Sequence, residues 1–183
     1  MYRTPTGGYT SDPSEDDRQV LGNAQPAVTY GWNNTIKWRD LDITIFFRGV
    51  IGNKLLNVTR WAYGSQSSMS NNVFMYDVIN NPRNNPSGVT YANKGAFSNY
   101  YLEDGSYLKL DNITVGYTWH FKENKYISSL RLYGTAQNLF TVTKYSGQDP
   151  EVNTANVWSA GIDYTSFYPR TASCMVGLHL NLF

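Results

Sequence analysis

Apolar and polar residues alternate along the chain in long runs with a period of two. From Val28 to Trp38 the even positions carry mostly large apolar or aromatic side chains, and the odd positions between them are Thr, Gly, Asn and Lys. After a tight turn at Arg39 and Asp40 the alternation resumes from Leu41. Such alternation is typical of a β-strand with one apolar and one polar face. The two runs therefore predict a β-hairpin.

Three further alternating runs follow in the second half of the chain, two of them joined by a short polar turn at residues 122–125. The predicted strands occupy about residues 27–38, 41–52, 107–121, 129–143 and 171–183. The remaining segments are rich in Asn, Ser, Gly and Pro, which favours loops. These predicted loops are residues 1–25, 53–106 and 144–170.

The lengths of the strands and of their connections predict a particular kind of all-β fold. Strands of about eleven to fifteen residues are longer than the usual five or six of soluble sheets, and they match the roughly nine or more that cross a bilayer when tilted. Short turns near residues 40 and 125 alternate with long loops, as in barrels with short periplasmic turns and long extracellular loops. The strands are therefore predicted to be antiparallel strands of a transmembrane β-barrel.

Composition and charge exclude several classes of protein. The chain is 15% aromatic and 16% charged, with a formal net charge of +1. A charge so close to zero gives no basic surface for a polyanion, so no nucleic-acid partner is expected. The single cysteine, Cys174, excludes an internal disulfide framework. No run approaches the roughly 18 apolar residues of a membrane helix.

The sequence offers no constellation for catalysis. The motifs for nucleophilic, phosphoryl-transfer and zinc chemistry are missing. Asp149 and Glu151 flank Pro150 and indicate a loop turn rather than an acid–base pair. His120 and His179 lie inside alternating runs, which favours ordinary wall positions over metal ligation. We therefore expect no enzymatic activity, no cofactor and no metal.

The loop aromatics are the best candidates for contact with a substrate. Trp and Tyr rings stack on the C–H faces of sugars, and Asn, Asp and Arg side chains bind hydroxyl groups. Loops that contact a partner carry the same residue types, so this pattern alone does not distinguish the two roles. The candidate substrate-binding residues are Trp61, Tyr63, Tyr76, Asp77 and Arg83.

Five segments occur together in an order that is typical of one family. They are LGNAQP at 21–26, DITIFFRG at 42–49 with Gly52 and Asn53 after it, EDGSYLKLDNITVGY at 103–117, LRLYGTAQNLFT at 130–141 and YSGQDPEV at 145–152. Over residues 18–183 the sequence resembles the C-terminal portion of the SusC/RagA family of TonB-linked outer-membrane proteins, which are TonB-dependent receptors.

This resemblance implies that the whole chain, residues 1–183, is the C-terminal segment of a large transmembrane β-barrel of 22 antiparallel strands, which encloses an N-terminal plug. It implies import of glycans, peptides or other large nutrients, with a SusD-like surface lipoprotein as partner. Energy would come from TonB, acting through an N-terminal part that this chain lacks. The chain is then expected to be a fragment without signal and plug, in the outer membrane of a Gram-negative bacterium as a multi-pass β-barrel in contact with lipid.

One alternative is a soluble β-sandwich module that binds carbohydrate. Its strands would also alternate and carry aromatic residues. The length of the strands and the asymmetry of their connections favour the barrel.

Overall fold

The computed structural model describes residues 2–10, 14–63, 99–122, 126–152, 159–166 and 168–182. The chain divides into two compact units. The first comprises Met1–Pro26, Gly52–Gly105 and Lys144–Pro169, and the second comprises Ala27–Ile51, Ser106–Thr143 and Arg170–Phe183.

Among the described residues nearly all regular structure is β. In chain order the strands are β1 (Tyr2–Arg3), β2 (Tyr9–Thr10), β3 (Val28–Trp38), β4 (Leu41–Ile51), β5 (Lys54–Asn57), β6 (Leu102–Asp104), β7 (Tyr107–His120), β8 (Ile127–Thr143), β9 (Ile162–Asp163) and β10 (Ser173–Leu182). Helix α1 spans Val58–Tyr63, and two short 3-10 helices span Glu15–Asp17 and Asn99–Tyr101. The predicted all-β fold is confirmed. No helix in the described part of the chain is long and apolar enough to span a membrane.

The second unit contains one five-stranded antiparallel sheet with the order β10-β8-β7-β4-β3. Each strand pairs with the next long strand in sequence, so the sheet is a meander. A two-residue turn joins β3 to β4, and Arg39 adopts a φ of 54° there, as tight hairpin turns require. A β-sandwich would need a second sheet packed on the first, and the described residues of this unit form a single sheet.

The register of this sheet separates an apolar from a polar face. One cross-strand row joins Ile45, Ile113, Ala136 and Cys174, and the adjacent row joins Thr44, Thr114, Thr135 and Met175. Because neighbouring residues of a strand point to opposite sides, the two rows lie on opposite faces. Register shifts near Phe46 and Leu110 mark bulges, which add local twist.

The first unit is built from segments that the sequence analysis treated as loops. Strands β6, β5 and β9 form a three-stranded sheet in which β5 and β9 run parallel. Its buried apolar cluster consists of Leu55, Tyr145 and Val152. The predicted loop at 53–106 thus contains β5, α1 and β6, and β8 begins at Ile127 rather than near residue 129. Strands β5, β6 and β9 are too short for an alternating pattern to be recognised in the sequence.

Candidate functional site

The apolar face of the five-stranded sheet is exposed. Val176 is 80% exposed and Leu178 is 62% exposed. Trp32 stacks on Phe47 on this face, with ring centroids 6.0 Å apart. Burial of apolar side chains normally stabilises a sheet, so an exposed face of this size needs another apolar environment. The other large exposed side chains on this face include Ile36, Val115, Leu132 and Leu180.

Aromatic side chains gather at the end of the sheet where the short turns lie. Tyr117 and Trp119 contact each other with ring centroids 4.7 Å apart, and Trp38 and Phe121 are also exposed. Tyr and Trp are enriched where a membrane protein meets the membrane–water interface. The arrangement is that of an aromatic girdle at one edge of an apolar band.

The polar face carries ion pairs that join neighbouring or next-but-one strands. Arg131 on β8 donates to Asp42 on β4 through two nitrogens, Nε at 3.0 Å and Nη2 at 2.6 Å. This pair therefore bridges the intervening strand β7. Arg48 on β4 donates to Asp111 on β7 at 2.7 Å. Between them the hydroxyls of Thr114 and Thr135 are 2.9 Å apart.

Two glycines let large side chains lie flat against the polar face. A Cβ atom on Gly116 would come within 2.5 Å of Arg131 Nη2 and 2.7 Å of Asp42 Oδ1. A Cβ atom on Gly177 would collide with the ring of Tyr133. The Arg131 guanidinium in turn lies 5.0 Å from the centroid of that ring. The absence of these two side chains therefore makes room for the Asp42–Arg131 pair and for Tyr133.

In the first unit, the carboxylate of Glu103 is the centre of a hydrogen-bond network. Its Oε1 accepts from Asn57 Nδ2 at 3.3 Å, from Arg60 Nη1 at 3.1 Å and from Ser146 Oγ at 2.7 Å. Its Oε2 accepts from the backbone N–H of Ser146 at 2.8 Å. The Glu103 side chain is only 12% exposed. A single carboxylate is thus hydrogen-bonded to β5, to α1 and to the segment after β8.

Arg60 of helix α1 is held from two sides. Besides its bond to Glu103, it donates to the hydroxyl of Tyr100 at 2.9 Å, and its guanidinium lies 4.5 Å from the centroid of that ring. Burial on its own would lower the pKa of the Arg60 guanidinium, but the hydrogen bond to Glu103 and the neighbouring Tyr100 raise this pKa above its usual value. Arg60 is therefore fully charged.

Tyr145 and Asp163 form a buried pair beside this network. The Tyr145 hydroxyl donates to Asp163 Oδ2. Burial raises the pKa of Asp163 above its usual value, the hydrogen bond from Tyr145 opposes this, and the nearby Asp149 and Glu103 carboxylates add to the increase. Burial and Asp163 likewise raise the pKa of Tyr145. The pair thus places a titratable carboxyl in the interior of the first unit.

The predicted binding residues are only partly described. Trp61 and Tyr63 lie on α1 and are half-buried. They are two positions apart, so their side chains do not share one face of the helix. Tyr76, Asp77 and Arg83 lie outside the described residues. Among the residues that the structure describes, no group of three or more His, Cys, Asp or Glu side chains is placed to hold a metal ion.

The other candidate groups lie as follows. Asp149 and Glu151 are buried in a turn, where the Glu151 N–H donates to Asp149 Oδ1 at 2.9 Å. His120 lies 3.6 Å from Asp40, and His179 lies 2.9 Å from Asn181. Both histidines are on strands of the five-stranded sheet. These contacts are those of a turn and of a strand surface.

The sequence analysis did not identify the Glu103 network. Its members lie far apart in the chain, since Glu103 is 43 residues from both Arg60 and Ser146. The available signal was that Glu103 and Ser146 begin or lie inside two of the five family-like segments. A shared segment order indicates a family, but it does not indicate which side chains are in contact.

Comparison with known proteins identifies similar chains. No protein-family model matches the chain. It is 32% identical to the TonB-dependent receptor P3 of Formosa agariphila over 91% of the chain, and 32% identical to the TonB-dependent receptor SusC of Bacteroides thetaiotaomicron over 98%. In each case the chain spans 17% of the length of the relative. The relatives are receptors, which confirms the expectation that the chain is not an enzyme.

Solved structures share the fold. The RagAB peptide importer in its open-open state matches 98% of the chain with a TM-score of 0.76 and 24% sequence identity. Its closed-closed state matches 97% of the chain with a TM-score of 0.74. The chain covers 20% of the matched chain in both states. At this identity the match concerns the fold.

Proposed function

Because this chain belongs to the SusC/RagA family of TonB-dependent receptors, we propose that it forms part of the wall and the extracellular loops of an outer-membrane importer of large nutrients. The observation that carries this proposal is the five-stranded sheet, with one exposed apolar face and one face bearing ion pairs. In a transmembrane barrel the outer face meets lipid and the inner face meets a polar lumen. We propose that the apolar face of the sheet contacts the lipid and that the polar face lines the lumen.

The orientation follows from the connections. The turn at Arg39 and Asp40 and the segment between β7 and β8 are short, and the girdle of Trp38, Tyr117, Trp119 and Phe121 lies at the same end. We place this end at the periplasmic surface of the outer membrane. The long connections at residues 53–106 and 144–170 are then the extracellular loops, on the side where substrate and partner arrive.

The proposed substrate is a glycan or a peptide, bound with the help of a SusD-like surface lipoprotein and imported with energy from TonB. One matched structure is of a peptide importer, which supports the peptide class. The glycan class comes from the resemblance to the family. In this chain Trp61 and Tyr63 on α1 are the proposed contacts. Tyr76, Asp77 and Arg83 remain sequence-based candidates for the same role.

Cysteine labelling tests the orientation. In the complete receptor with Cys174→Ser as background, Ser166→Cys and Lys122→Cys each place one thiol at an exposed position. An impermeant maleimide should label Ser166→Cys on intact cells and Lys122→Cys only after the outer membrane is permeabilised. The reverse pattern would overturn the orientation, and labelling of both on intact cells would overturn the wall assignment.

Uptake measurements test the binding role. Trp61→Ala and Tyr63→Ala should each lower uptake of a labelled oligosaccharide or peptide per receptor at the cell surface. Tyr168→Ala is the matched control, because Tyr168 is an exposed aromatic residue of the same unit that is not proposed to bind. Unchanged uptake of both substrate classes in the two α1 variants would contradict the proposed contacts.

A further inference from the structure

We infer that Glu103 is a positioning residue, which fixes helix α1 within the first unit and so determines how Trp61 and Tyr63 are presented. The part of this inference that concerns presentation rests on the proposed function. The part that concerns the helix rests on contacts alone. Neither Glu103 nor its partners Asn57, Arg60 and Ser146 were among the candidates from the sequence.

Helix α1 cannot be stable by itself. It spans six residues, Val58–Tyr63, and isolated helices shorter than about 12 residues are marginal even in favourable sequences. Its position must therefore come from capping and from tertiary contacts. The first of these is an N-cap: Asn57 Oδ1 accepts from the backbone N–H of Arg60 at 2.8 Å, three residues further on.

Glu103 holds this capping side chain in place. Asn57 is 1% exposed, and its amide Nδ2 donates to Glu103 Oε1 and to Ser146 Oγ, both at 3.3 Å. The amide is thus fixed with its oxygen toward the helix and its nitrogen toward Glu103. Loss of the carboxylate removes the acceptor that favours this orientation over the flipped one.

The second contact on α1 also ends at Glu103. The Arg60 side chain is 23% exposed and its charged partner is the Glu103 carboxylate. Without this carboxylate, the guanidinium would still contact the hydroxyl and the ring of Tyr100, but it would lose its charge-assisted hydrogen bond. The cap and the side-chain anchor of α1 therefore depend on the same carboxylate.

The variant Glu103→Gln tests the role with almost no change in side-chain shape. Among the described residues, the hydrogen-bond partners of the carboxylate are donors, from Asn57, Arg60 and Ser146. Glu103→Gln replaces one acceptor oxygen by an NH₂ group, which faces donors, and removes the charge opposite Arg60. Glu15→Gln is the matched control, because Glu15 also pairs with an arginine, Arg18 at 2.9 Å, but its side chain is 85% exposed.

Hydrogen exchange in the purified complete receptor measures the hold on α1 directly. A hydrogen bond to a charged group contributes enough that its loss changes a local opening equilibrium about tenfold or more. We expect exchange over residues 57–63 to accelerate by about that factor in Glu103→Gln, with unchanged exchange in β7 and β8 and no effect of Glu15→Gln. Ser146→Ala, which removes the 2.7 Å donor without a charge change, should give a smaller acceleration of the same residues.

Uptake by the same variants separates the inference from the proposed function. If Glu103 positions α1 and α1 binds substrate, Glu103→Gln should raise the substrate concentration for half-maximal uptake at least about threefold. The maximal rate of uptake per surface receptor should stay the same. Faster exchange at unchanged half-saturation would support the positioning role and overturn the binding role of α1. Unchanged exchange over residues 57–63 in Glu103→Gln would overturn the inference itself.

Discussion

The ion pair between Asp42 and Arg131 joins two strands across a third, and it offers a direct measure of how the polar face stabilises the sheet. The guanidinium reaches from β8 over Gly116 on β7 to the carboxylate on β4. The pair is bidentate, with N···O distances of 3.0 Å and 2.6 Å, and bidentate pairing is the strongest geometry for an arginine and a carboxylate.

The expected contribution follows from distance and exposure. Two unit charges about 4 Å apart interact with about 4 kcal/mol at an effective dielectric constant of about 20. The two side chains are 32% and 23% exposed, so solvent screening and partial desolvation reduce the net value. We expect a coupling of about 1–2 kcal/mol, which is a factor of about 5–30 in the folding equilibrium.

A double-mutant cycle isolates this coupling. Asp42→Asn, Arg131→Gln and the double variant of the complete receptor would be unfolded in urea in detergent and followed by the heat-modifiable band of the folded barrel. The exposed pair Glu15–Arg18 is the control cycle and should show no measurable coupling. If the two single changes at Asp42 and Arg131 add to within about 0.3 kcal/mol, the pair contributes nothing and the reasoning is refuted.

Three further changes follow from particular contacts. Asn57→Ala should lower the stability of the first unit by about 1–3 kcal/mol, measured by exchange of its amides, because it removes a buried N-cap. Gly177→Ala should reduce the yield of folded receptor, since its Cβ would collide with Tyr133, whereas Gly134→Ala, which meets nothing nearer than 4.0 Å, should not. The pKa of Asp163 is raised, so its contribution to stability falls as the pH rises from the usual aspartate pKa of 3.8 through that raised pKa. Asp163→Asn should abolish this part of the pH dependence of unfolding of the first unit, and an unchanged pH profile would contradict it.

The five long strands could be predicted because their signal is local. In β3 and β4 the period-two pattern covers eleven residues each, and a two-residue turn fixes them as a hairpin. Short turns similarly make β7 and β8 neighbours. Once the faces are assigned, a slip of one residue would move every apolar side chain to the other face, so the register follows as well.

The first unit could not be predicted in the same way, because its contacts are not local. Strands β5 and β9 have four and two residues and pair in parallel although they are far apart in the chain. Glu103 lies in an acidic pair, Glu103–Asp104, that gives no indication of a buried carboxylate. Only the fold brings Asn57, Arg60 and Ser146 to it. Trp61 and Tyr63 were recognisable as loop aromatics, while the residues that hold their helix were not.

The central claim is that the sheet separates lipid from a polar lumen, and two adjacent residues test it most directly. Ile113 and Thr114 lie in the middle of β7, Ile113 in the apolar row with Ile45 and Thr114 bonded to Thr135 on the opposite face. An arginine on a lipid face near the bilayer midplane costs about 2–4 kcal/mol, and one on a lumen face costs much less. Folded receptor in the outer membrane should therefore fall strongly in Ile113→Arg and little in Thr114→Arg. Equal losses in the two variants, or a larger loss in Thr114→Arg, would contradict the account.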